Sequence, residues 1–135
     1  MSEILSSYYH KWASCPSVLS SFKKLKNKSV LITGANGIIG YALARLIALE
    51  PSISLTCLTR HDHWFGLAQL NPRVRNTTRL EDETYDYVFH CATHSQPQKF
   101  VADWRGTAEQ SVSQLLKLLD RTNEQLIFSS STEVY

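Results

Sequence analysis

The chain has 135 residues, enough for one domain of ordinary size and too few for two comfortable ones. Apolar residues make up 43% and charged residues 19%, a globular balance that excludes a disordered tail and removes any need for disulfides or a metal to fold. A formal charge of +2 is too weak a bias to predict nucleic acid or a membrane surface as partner, and three scattered cysteines are unlike a secreted disulfide framework.

No apolar run approaches the roughly 18 residues that a membrane span needs, so no membrane is expected. Glu3, His10 and Lys11 interrupt any apolar core of a signal peptide, and a reducing, cytoplasmic setting is the expectation. Residues 1–21 read as an N-terminal helical extension. Leu5, Tyr8, Tyr9 and Trp12 fall at i, i+3, i+4 and i+7, which predicts a short amphipathic helix before Pro16. Val18, Leu19, Phe22 and Leu25 predict a second. Packed aromatics explain such a pattern, and so does a surface for a partner or another copy of the chain. The lysines at 23, 24, 26 and 28 read as a solvated approach to the first strand.

Ser29-Val30-Leu31-Ile32-Thr33 is a β-branched apolar run of the kind buried in a parallel sheet. It meets a glycine turn, Gly34-Ala35-Asn36-Gly37-Ile38-Ile39-Gly40, and then Ile39, Ala42, Leu43, Leu46 and Ile47 recur at helical spacing. Glycines let the backbone turn sharply and approach a ligand, while a helix start offers free N–H groups and a positive dipole end. Strand, glycine turn and helix in that order predict a pyrophosphate site at Gly34, Asn36, Gly37, Ile38, Ile39 and Gly40.

Residues 53–58 predict a second strand ending at Thr59-Arg60, where such folds meet the adenosine ribose. A guanidinium there favours a 2′-phosphate, so the cofactor is NAD or NADP with Arg60 leaning toward NADP. His61-Asp62-His63 lacks accompanying thiolates or carboxylates and predicts a solvated loop rather than a metal site. Residues 65–84 show little periodicity, and Glu81, Asp82 and Glu83 read as polar surface. Residues 86–92 predict a third strand leading to Ala92 and Thr93; His90 and Cys91, being adjacent, point to opposite faces and make no working pair. A helix over 108–119 follows, with Val112, Leu115, Leu116 and Leu119 on its apolar stripe, and then a strand over 125–131. Strands alternating with helices predict an α/β, doubly wound parallel sheet. Its ligand crevice lies beyond the strand ends, where the glycine turn, Arg60, Ala92, Thr93 and the serines fall.

Gly34 to Gly40, His90-Cys91-Ala92-Thr93 and Ser129-Ser130-Ser131-Thr132-Glu133-Val134-Tyr135 together resemble the extended short-chain dehydrogenase/reductase family. The closer likeness is to its NAD-dependent epimerases, dehydratases and decarboxylases acting on nucleotide sugars. The resemblance implies a Rossmann-like fold, with 22–135 as an incomplete NAD(P)-binding domain truncated before the C-terminal substrate-binding part. It implies hydride transfer at a sugar carbon in the complete enzyme, with Ser131 and Glu133 as catalytic residues. Gly34, Gly37, Ile38 and Ile39 would wrap the pyrophosphate, Arg60 would sit near the ribose, and Ala92 with Thr93 would flank the nicotinamide. Asn76 stands where the family usually holds the adenine amine with an acid, and Thr132 where its dehydratases carry aspartate. The family's Tyr-x-x-x-Lys pair is absent, so the chain alone is expected to be inactive. The expected partner is a nucleotide sugar, with a homodimer as one option. The competing expectation is a non-catalytic dinucleotide-binding regulatory or scaffold module.

Overall fold

A computed structural model describes residues 15–61, 66–92 and 101–129 of the chain. The helix expected over the first dozen residues lies outside them. The described strands are β1 (Ser29–Thr33), β2 (Ser54–Leu58), β3 (Val74–Thr77), β4 (Tyr85–His90) and β5 (Thr122–Phe128). They form one parallel sheet in the order β3-β2-β1-β4-β5. The order reverses at β1, which puts a crevice beyond its C-terminal end.

Burial follows the strand pleat. Val30 and Ile32 point to one face of β1 and join Ala44, Ile47, Ile53 and Leu55 in the larger core. Leu31 points to the other and joins Tyr85, Val88 and Leu118 in the smaller one. Helix α1 (Pro16–Phe22) and a following 3-10 turn, Lys23–Leu25, lead to the sheet. Leu25 is buried in the larger core, while Lys23, Lys24 and Lys26 remain exposed.

Helix α2 (Ile38–Ala48) covers the larger core. Its buried residues are Gly40, Ala44, Ile47 and Ala48, whereas Ile39, expected on the inner stripe, is 64% exposed. Helix α3 (Trp104–Leu119) starts four residues before the expected position, because Asp103 caps it by accepting from the Gly106 N–H at 3.0 Å. Leu118 is its one buried residue. Val112, Leu116 and Leu119, expected as the core stripe, are 57%, 56% and 49% exposed. Two apolar stripes overlap on this helix, and contact with Leu31, Tyr85 and Val88 selects the one through Leu118.

Strand β3 had no sequence signal. It is a four-residue edge strand with one buried residue, Val74, so it carries no legible alternation. The chain then returns to β4 over residues 78–84, without the helix that usually completes a parallel crossover. Arginines pin this strap: Arg75 pairs with Glu81 at 3.1 Å and with Glu83, and Arg121 pairs with Asp82. Arg75 also donates from Nε to Thr56 Oγ1 at 2.9 Å and from a terminal nitrogen to Tyr85 Oη at 3.1 Å. Leu80 packs against the smaller core between those ion pairs. The acidic run expected as plain surface is a fastening. Among the described residues no helix is long and apolar enough to cross a membrane.

Candidate functional site

The ends of β1 and β4 are locked together at the start of α2. Gly34 has φ +68°, and a Cβ placed on it would lie 2.9 Å from the backbone of Ala92. A Cβ on Gly40 would lie 2.3 Å from the Gly34 carbonyl oxygen, and one on Gly37 would lie 3.2 Å from the same atom. That carbonyl accepts from the Gly37 N–H at 2.9 Å, while the Gly34 N–H donates to Leu58 O at 2.9 Å. Each glycine therefore has its own reason to lack a side chain: conformation at Gly34, close backbone approach at Gly37 and Gly40.

Helix α2 begins at this turn with Gly37 as its N-cap, no side-chain cap and no acid in its first turn. Its first N–H groups lack intrahelical partners and its positive dipole end is uncompensated. This is a cradle for an anion.

A cavity of about 610 Å³ opens beside it. Gly34, Asn36, Gly37, Arg60 and Ala92 all line it, so five expected site residues share one crevice. Ile38 and Ile39 do not line it and stand 93% and 64% exposed, and Gly40 is buried behind the turn. Thr93, Ser131 and Glu133 lie outside the described residues. Arg60 and Lys117 line the wall, and among the described lining residues none is acidic. The site suits a polyanion.

Thr33 and His90 form the buried floor. The Thr33 hydroxyl oxygen accepts from the Ala92 N–H at 3.3 Å and lies 2.6 Å from His90 Nδ1. Either the hydroxyl or the ring nitrogen can be the donor in this contact, according to the histidine tautomer. Burial pushes the His90 pKa below the usual imidazole value, so the ring is neutral at pH 7. Its ring centroid lies 5.4 Å from that of Phe128. Cys91 also lines the crevice, and burial raises its pKa, which suppresses the thiolate. His90 and Cys91 act as lining here, with no nucleophile–base pair between them.

Sequence reasoning missed the wall opposite the glycine turn. Gln110, Gln114 and Lys117 of α3 line the cavity at i, i+4 and i+7. That polar stripe lies beside an apolar one, and hydropathy alone does not decide which of the two faces a cavity. Thr78 and Leu80 of the strap also contribute, from a stretch with no periodicity to read. Asn76, expected at the adenine end, is absent from the lining, and its Oδ1 accepts from Thr59 Oγ1 at 3.2 Å.

Residues 30–135 match the family model "NAD dependent epimerase/dehydratase family". The chain belongs to that family. No curated protein matches it significantly. Among solved structures, the epimerase Mth375 of the methanogen Methanothermobacter thermautotrophicus is similar with TM-score 0.68 and 23% identity, covering 87% of this chain and 39% of that one. UDP-N-acetylglucosamine 4-epimerase of Methanobrevibacter ruminantium M1, solved in complex with UDP-N-acetylmuramic acid, aligns with TM-score 0.62 and 24% identity over 82% of this chain and 40% of its own. The reductase domain of the Aureusimine biosynthetic cluster aligns with TM-score 0.52 and 15% identity over 99% of this chain and 41% of its own. The likenesses show a shared Rossmann-like fold, and the chain spans about two fifths of the length of each of these structures. A nicotinamide dinucleotide is the cofactor of the family, and the cradle of Gly34, Gly37 and α2 fits its pyrophosphate.

Proposed function

We propose that this epimerase/dehydratase-family chain is the dinucleotide-binding portion of an enzyme acting on nucleotide sugars. The observation that carries the reading is the crevice at the start of α2, where backbone contacts forbid a side chain on Gly34 and Gly40 and no described lining residue is acidic. Gly34, Asn36 and Gly37 hold the pyrophosphate, Arg60 holds the adenosine ribose, and Ala92 with Thr93 flanks the nicotinamide. A bound nicotinamide supplies the two-electron acceptor for a sugar carbon. Thr33 and His90 keep Ala92 in register with the glycine turn, so the crevice is built before ligand arrives. Ser131 positions the sugar hydroxyl or carbonyl, and Glu133 is its acidic neighbour in the reaction. The nucleotide-sugar class is supported by the epimerase complexed with UDP-N-acetylmuramic acid.

Arg60 makes NADP(H) the preferred form, since a guanidinium beside the ribose favours an added phosphate. Calorimetric titration of the chain with NAD+ and NADP+ tests both points. The expected result is binding of both, with NADP+ tighter. Equal affinity or a preference for NAD+ overturns the role of Arg60, and binding of neither overturns the cofactor reading. The chain carries no Tyr-x-x-x-Lys pair and by itself is expected to convert no nucleotide sugar. The exposed Val112, Leu116 and Leu119 stripe supports association of two copies, which sedimentation over a concentration series would detect.

A further inference from the structure

We propose that Gln114 and Lys117 of α3 read the base at the adenosine end of the dinucleotide, an assignment that rests on the cofactor reading above. The crossover from β3 to β4 is a seven-residue strap, too thin to cover the sheet face that a helix would fill. The cavity extends from the glycine turn into the space this leaves. Leu58, Leu80 and Leu118 bound it with apolar surface, and Gln114 and Lys117 rise from the helix on its far side. Helix α3 runs opposite to the strands: it follows the end of β4, and the chain after it pairs Thr122 with Tyr85 at the strand's start. Helical side chains lean toward their own N-terminus, so Gln114 and Lys117 lean toward the crevice mouth.

Both are exposed, and neither has a hydrogen-bond or ion-pair partner among the described residues. Apolar walls with a carboxamide and an ammonium at the rim suit a flat heterocycle whose edge carries nitrogen acceptors and an amino group. A glutamine amide can pair with both the amino group and an adjacent ring nitrogen of adenine, while an ammonium supplies donors to ring acceptors. Asn76 is off the wall, and its carbonyl oxygen is engaged by Thr59. Among the described residues no carboxylate lines the cavity, and the Gln114 amide oxygen is an acceptor that α3 presents for the amino group.

The test is calorimetric titration of the 135-residue chain, Gln114→Ala and Lys117→Ala with NAD+, NADP+ and nicotinamide hypoxanthine dinucleotide, whose base has a carbonyl in place of the amino group. Both positions are solvent-exposed, and melting curves matching the parent verify that each variant is folded. The parent should bind NAD+ about tenfold tighter than the hypoxanthine analogue, the scale of one mispaired polar group. Gln114→Ala should weaken NAD+ and erase that ratio, and Lys117→Ala should weaken all three ligands by roughly fivefold or more. Variants that bind every ligand within about twofold of the parent overturn the assignment while leaving the cofactor reading intact. A parent that binds none of the dinucleotides overturns both.

Discussion

Gly34 sits where β1, the start of α2 and the end of β4 converge, and its backbone is left-handed at φ +68°. A methyl group there meets Ala92 and also forces an L-residue into an unfavourable region. The conformational part alone costs about 1–2 kcal/mol, and the 2.9 Å contact adds to it because backbone cannot give way like a flexible side chain. Gly34→Ala is therefore expected to lower stability by about 3 kcal/mol or more and to abolish dinucleotide binding, as read by urea melts and titration. Asn71 shows the same economy in the core. Fully buried, it donates to the carbonyls of Glu50 and Ile53 at 3.2 and 3.0 Å and accepts from the Arg73 N–H at 2.8 Å. Asn71→Leu leaves three backbone groups without that partner, and a loss of about 2–4 kcal/mol in urea melts is expected. Conservation of the melt would show that water takes the amide's place.

At the scale of elements, α3 separates two faces that a hydropathy pattern cannot tell apart. Leu118 touches the smaller core and is 3% exposed, whereas Leu116, two residues away, is 56% exposed. Leu118→Ala should cost about 2–4 kcal/mol, while Leu116→Ala, measured on the monomer at dilute concentration, should change stability by less than about 0.5 kcal/mol. Equal effects in chemical denaturation would mean that a further surface buries Leu116. The strap makes a related point about charge. Three consecutive acids would ordinarily be read as solvated, but Arg75 and Arg121 engage all of them and hold Leu80 down. Exposed ion pairs are individually weak, so their contribution here is to place the strap rather than to stabilise the fold strongly.

At the scale of the whole molecule, two of the described groups make opposite-charge contributions to the response to acid. His90 is held below its usual pKa by burial, so the unfolded chain takes up its proton first as pH falls. Stability contributed by neutral His90 is present above about pH 6.5 and declines as pH drops toward the lowered folded value. Asp86 is shifted down chiefly by the Ser29 backbone N–H donating to it at 2.8 Å, partly offset by burial. Its contribution is present above the ordinary aspartate pKa and is lost as pH falls through the lower folded one. Stability should therefore decline in two stages, below about pH 6.5 and again below about pH 4. His90→Asn should flatten the first stage in thermal melts taken at each pH, and an unchanged slope would remove His90 from the explanation.

By itself the sequence determined the class of fold and one wall of the site. A buried-type strand, glycines at 34, 37 and 40 and a helix are local features, and local sterics made them legible. Arg60 and Ala92 were equally readable, because strand ends place residues beside a turn whatever packs behind them. Strand β3, the pinned strap, the buried face of α3 and the wall formed by Gln110, Gln114 and Lys117 were decided by tertiary structure. A short edge strand has no period to detect, and a helix bearing two apolar stripes does not announce which one meets the sheet. Ion pairs between Arg121 and Asp82, 39 positions apart, form only after the sheet has brought their elements together.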